Sequence, residues 1–161
     1  MSASVLAAAA VGIFLAGPLL VFERLFDGGK IEPVDFASLS PTSNPNWYLV
    51  APQGLCRKAA VSREGPVFPF PASELDARVR RVALGEARVK LLAEDSALRQ
   101  LELEARTLFW RFPDRITIRS LDLPGGGSSL AVFGRAVYGR SDLGVNRRRI
   151  ERWLSALDEG A

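Results

Sequence analysis

The sequence predicts an α+β protein: a single N-terminal transmembrane helix, then a small domain with an antiparallel β-meander, one helix before the meander and one C-terminal. Three observations carry this. No charged residue occurs from Val5 to Phe22. A period-two alternation of apolar and polar residues fills the centre of the chain, and apolar positions at helical spacing flank it on both sides. Strands gathered in one run, not interleaved with helices, point to α+β and away from a parallel sheet.

The uncharged run is long enough for a spanning helix, which needs about 17–25 apolar residues, so an anchor is expected over residues 3–24. A cleaved signal peptide would carry a basic start and a small-x-small cleavage site; here Lys and Arg are absent before Arg24 and no Ala-x-Ala follows the run. A buried core helix is the other alternative, but a segment apolar all round suits lipid better. Ala8, Gly12 and Ala16 recur every four residues, a spacing that lets another membrane helix pack closely. The abundance of Ala and Gly in any anchor accounts for the same spacing equally well.

Residues 25–45 read as a linker: Gly28-Gly29, Pro33, Pro41 and Pro45 resist regular structure. Such a tether would hold the domain, residues 46–161, near the bilayer without burying it. Asn46 to Ala51 is a short strand candidate whose Trp47 and Tyr48 are assigned to core packing. Pro66 to Pro71 holds three prolines and must be extended. Ser73 offers an N-cap, Glu74 and Asp76 suit the first-turn dipole, and Leu75, Val79, Val82 and Ala83 repeat at helical spacing. A helix is expected from Glu74 to Leu84, closed by Gly85.

Strand periodicity follows. Leu101, Leu103 and Ala105 alternate with Glu102, Glu104 and Arg106, and Leu108, Trp110 and Phe112 continue against Phe109 and Arg111. Pro113-Asp114 marks a turn, after which Ile116 and Ile118 oppose Arg115, Thr117 and Arg119. Pro124-Gly125-Gly126-Gly127 is a hairpin loop; it lacks a downstream Gly-Lys-Ser/Thr and leads into a strand, not a helix, so it is no phosphate cradle. Leu130, Val132 and Phe133 open the last strand. The closing helix is expected to start after an N-cap at Ser141, burying Leu143, Ile150, Trp153, Leu154 and Leu157. Arg147, Arg148, Arg149 and Arg152 are expected to point mostly away.

Composition excludes more than it identifies. Histidine is absent, which removes the commonest general base and metal ligand together. Cys56 is alone, so the chain has no internal disulfide. No base and nucleophile share a recognisable spacing, and Glu102 and Glu104 are expected on an exposed strand face. No catalytic residue, cofactor or metal site is therefore expected. The net charge is +3, with 18 Arg and 3 Lys making up the 21 basic residues. An Arg excess suits anionic partners and equally reflects a GC-rich genome. The basic residues are dispersed, so no nucleic-acid partner is expected.

Three blocks are more specific: Asn44-Pro-Asn46-Trp-Tyr-Leu-Val-Ala-Pro-Gln-Gly-Leu-Cys56, Phe109-Trp-Arg-Phe-Pro-Asp114 and Tyr138-Gly-Arg-Ser-Asp-Leu-Gly-Val-Asn-Arg147. From Asn44 to Leu157 the chain resembles domain-of-unknown-function family 1499. The resemblance implies relatives in proteobacteria, cyanobacteria and plastids, usually behind an export signal or membrane anchor. It therefore implies an inner-membrane protein with its domain on the periplasmic or lumenal side. Arg24 and Lys30, the basic residues after the span, favour the cytoplasm instead; the family placement is preferred over those two charges. The family carries no catalytic residues to transfer.

Arg140, Asn146, Arg147 and Arg148 are the candidate contacts for a partner or anion at a helix N-terminus. The structural alternative has Ser141 and Asp142 capping the helix, Asn146 bonding a strand and Arg147 pairing an acid such as Asp114. The expected function is a non-enzymatic accessory subunit of a larger membrane complex, with respiratory or photosynthetic assemblies as hosts. One alternative is an anchored binding module for an anionic ligand or lipid headgroup; a second is an enzyme of uncharacterised type.

Overall fold

The side chains of Leu101, Leu103 and Ala105 pack into one core while Glu102 and Glu104 face the other side of the sheet, and this alternation organises the domain. The computed structural model describes residues 31, 33–40, 44–108, 111–139 and 144–159. The expected anchor over residues 3–24, with Ala8, Gly12 and Ala16, lies outside the described residues. Among the described residues no helix is long and apolar enough to cross a membrane.

The described strands are β1 (Trp47–Ala51), β2 (Arg63–Glu64), β3 (Val67–Phe68), β4 (Val89–Asp95), β5 (Gln100–Arg106), β6 (Pro113–Asp122) and β7 (Ser128–Ala136). Strands β4 to β7 form the expected antiparallel meander. The sheet is mixed: it runs β2-β1-β7-β6-β5-β4, with β1 antiparallel to β7, β2 parallel to β1, and β3 beside β7. Helices α1 (Ala72–Gly85) and α2 (Val145–Asp158) cover one face. There Leu75 and Val79 of α1 and Ile150, Trp153 and Leu154 of α2 meet Leu103, Ile116, Ile118 and Val132. Gly134 lets α2 come close: a Cβ there would stand 2.8 Å from Ile150 Cδ1.

Four local expectations are corrected. Helix α1 starts at Ala72 with Pro71 as its cap residue and no side-chain cap, so Ser73 is not the N-cap. A distant carboxylate serves the helix start: the Ala72 N–H donates to Asp122 Oδ1 at 2.9 Å. Pro113 and Asp114 lie within β6, paired with Arg106 and Ala105. The first position of a strand tolerates proline. The turn lies earlier, where Thr107 and Phe112 bond each other through Thr107 N–H to Phe112 O and Phe112 N–H to Thr107 Oγ1, both 3.0 Å. Arg111 in that loop has φ +56, which an extended strand cannot contain; Phe109 and Trp110 lie outside the described residues.

The third correction concerns the linker. Phe36 is fully buried in a second core on the far face of the sheet, with Leu49, Ala51, Ala59, Ala131 and Phe133. Gln100 Nε2 donates to Val34 O at 3.0 Å and Arg57 N–H to Ala37 O at 3.4 Å. Residues 33–40 are thus a strap on the sheet, because the far face of β1 and β7 is apolar and needs a cover. Fourth, Glu102 and Glu104 are buried, at 6% and 2% exposure, where an open strand face was expected: Glu102 lies beside the strap, and Glu104 under Lys90, Arg106 and Arg115.

Candidate functional site

Helix α2 begins at Val145 behind Gly144, whose φ of +73 is left-handed and open to glycine without strain. This places the start beyond a Ser141 cap; Arg140, Ser141, Asp142 and Leu143 lie outside the described residues. The buried stripe of α2 holds Asn146, Arg149, Ile150, Trp153, Leu154 and Leu157. Arg147 and Arg148 fall beside that stripe and are exposed.

The candidate residues therefore divide. Asn146 is fully buried, its Oδ1 accepting from Arg149 Nη1 at 3.5 Å. Arg147 lies over the Tyr48 ring, 5.9 Å from its centroid. The Tyr48 hydroxyl donates to Glu151 Oε1 at 2.5 Å, and Arg63 pairs with the same carboxylate. Burial, and then Glu151, push the Tyr48 phenol up from its ordinary value. These contacts fasten α2 to β1.

The pairing expected of Arg147 with Asp114 belongs to Arg149. Its Nη1 is 3.2 Å from Asp114 Oδ2 and its Nε 3.2 Å from Glu86 Oε1. Arg149 was expected to point outward, yet it lies four residues before Trp153 and so on the same stripe. The spacing was visible in the sequence; the general rarity of buried arginine argued against reading it.

The far face of the sheet carries the groups that sequence reading missed. Glu102 accepts from Thr117 Oγ1 at 2.6 Å and from Gln100 Nε2 at 3.1 Å. Burial pushes its carboxyl up, while the Thr117, Gln100 and Val34 hydrogen bonds and the Arg135 charge pull it down. It lines a cleft of about 490 Å3 with Ile31, Pro33, Val34, Leu98 and Arg119. Asp35 of the same cleft is held below its ordinary value, first by the Ser38 hydroxyl at 2.6 Å and then by the Ala37 N–H at 3.1 Å. The cleft thus combines a carboxyl that favours its proton with one that favours its charge.

Two register positions along, on the same face, Lys90, Glu104, Arg115, Arg135 and Trp47 form a row across five strands. Glu104 is bridged by Lys90 Nζ at 3.1 Å, Arg106 Nε at 2.9 Å and Arg115 Nη1 at 3.1 Å. It floors a second depression, of about 200 Å3, rimmed by Arg88, Lys90, Arg106 and Arg111. Arg88, like Arg111, has a left-handed backbone, φ +68. Alternation alone could not reveal either cluster, because it assigns residues to a face without showing what covers that face. Among the described residues no cluster of His, Cys, Asp or Glu could hold a metal ion.

The model of one family, described as a protein of unknown function (DUF1499), matches residues 49–157. No curated protein and no solved structure matches the chain.

Proposed function

The chain belongs to the DUF1499 family, and we propose that it is a non-enzymatic accessory subunit of a larger membrane assembly. In this reading one helix over residues 3–24 anchors it, the domain stands on the periplasmic face of the inner membrane, and respiratory or photosynthetic complexes are the hosts. The observation that carries the proposal is the strap. Phe36 is fully buried, Val34 is bonded to Gln100 and Ala37 to Arg57, so residues 34–37 are seated on the sheet. Residues 25–32 are all that separate the expected anchor from the strap. Eight extended residues reach under about 30 Å. A domain confined this closely fits a set place beside other subunits better than a roaming tether would.

The test is purification of the full chain from its native membrane in mild detergent. Co-purifying proteins in fixed stoichiometry support the reading, and a lone monomer overturns it. Of the candidate contacts for the alternative binding-module reading, Asn146 is internal, while Arg147 and Arg148 are exposed.

A further inference from the structure

The geometry points to a binding site for a phosphoryl anion in the depression between Arg88, Lys90, Arg106 and Arg111, on the sheet edge formed by β4 and β5. This site is separate from the α2 arginines and does not depend on the accessory-subunit reading.

The floor is built first. Glu104 is 2% exposed and engaged by Lys90, Arg106 and Arg115 together. A single buried carboxylate shared by three cations braces them and presents little of its own charge to the opening. Arg106 is locked further, its Nη1 donating to Arg111 O at 3.0 Å. A braced guanidinium loses little side-chain entropy when it binds an oxyanion.

The rim also carries Arg88, whose guanidinium is not among the cations that engage Glu104. Arg88 donates through Nε to Arg106 O at 3.4 Å, a neutral acceptor that leaves its charge in place. Lys90 is 60% exposed in its side chain and reaches Glu104 from the open side. The basic groups come from three directions: the start of β4, the end of β5 and the loop before β6. Convergent cations around a concave, partly dry surface focus positive potential there.

Two of the three described non-glycine residues with positive φ stand on this rim; the third, Arg99, does not. Arg88 and Arg111 both hold left-handed φ values, +68 and +56, and both stand on this rim. Glycine would occupy these positions without strain, yet each carries the side chain best suited to anion binding. Strained non-glycine residues gather where a side chain must be aimed. The opening, about 200 Å3, admits a phosphate with a short attached group and is small for a larger organic ligand. A phosphoryl group offers three oxygens to cations arriving from three sides, where a carboxylate offers two. Inorganic phosphate and a phospholipid headgroup share this chemistry.

The experiment uses the full chain in zwitterionic detergent, titrated calorimetrically with inorganic phosphate and, separately, with soluble short-chain phosphatidate. Saturable binding that weakens as salt rises is expected. Arg88→Gly keeps the left-handed backbone, so its thermal midpoint should stay level or rise while binding weakens about tenfold, the loss of one charge-assisted contact. Arg147→Ala, on α2, should bind as the parent does. Binding of inorganic phosphate identifies a free phosphate as sufficient; binding of phosphatidate alone assigns the site to a lipid headgroup. The proposal is overturned if neither titrant binds saturably, if Arg88→Gly binds like the parent, or if Arg147→Ala removes the binding.

Discussion

Arg149 of α2 and Asp114 of β6 form an ion pair of 3.2 Å in which the side chains keep only 6% and 4% of their exposure. The same guanidinium reaches Glu86 at the end of α1, and Glu86 also accepts from Trp153 Nε1 at 2.7 Å. One arginine thereby ties both helices to the sheet. Removing one partner of a buried pair strands the other and costs about 3–5 kcal/mol. Arg149→Ala should therefore lower unfolding stability by that order in denaturant titration. Arg147→Ala, at an exposed position, should stay within about 0.5 kcal/mol.

Asp122 provides a second contrast. Its carboxylate accepts the Ala72 N–H at 2.9 Å at the start of α1 and also pairs with Arg99 at 3.2 Å. Loss of a helix cap costs about 0.5–2 kcal/mol. Asp122→Ala should show such a loss by thermal or chemical unfolding, whereas Ser73→Ala should be close to neutral. The reverse order would mean that the local serine caps the helix after all.

The strap predicts a large effect from a residue outside the family match. Phe36 is fully buried, and truncating a core phenylalanine costs about 3–5 kcal/mol. Phe36→Ala should destabilise by that amount, while Phe36→Leu, which keeps most of the volume, should cost less than about 1.5 kcal/mol. Equal, small effects in urea titrations would show the segment to be a loose tether.

Glu102 should make stability fall as pH rises. Its folded carboxyl lies above the ordinary value because burial penalises the charge. The folded state therefore holds this proton more tightly than the unfolded chain does. Stability from this group is fully present below the unfolded carboxylate pKa and is lost as pH climbs through the folded one. Glu102→Gln can keep the Thr117 and Gln100 contacts, with the Thr117 hydroxyl reversed to accept. Unfolding measured across mildly acidic to neutral pH should show the variant gaining on the parent toward neutrality. A constant difference between the two would count against the shift.

Much of the architecture was legible because it depends on neighbours in the chain. Leu101-Glu102-Leu103-Glu104-Ala105 alternates with period two, and Ile150, Trp153, Leu154 and Leu157 recur with helical period; both patterns belong to the residues themselves. The glycine-rich loop shows the same legibility: Gly125, Gly126 and Gly127 all hold positive φ between β6 and β7, as a hairpin needs. Pro113 was misplaced because proline suits both a turn and the first residue of a strand, and only pairing with Arg106 decides between them.

Chain periodicity thus indicated the meander and the helix flanking each end of it, though not the loop holding Thr107 and Arg111 or the short strand β2, and three sequence blocks were enough to indicate the family. The tertiary structure decided which charges go inside. Glu102, Glu104 and Arg149 read as solvent-facing in sequence, yet the strap at Phe36, the basic row from Lys90 to Arg135 and the Arg149 bridge to Asp114 bury them. Periodicity assigns a residue to a face, but desolvation, capping and charge pairing are set by whatever the rest of the chain lays against that face.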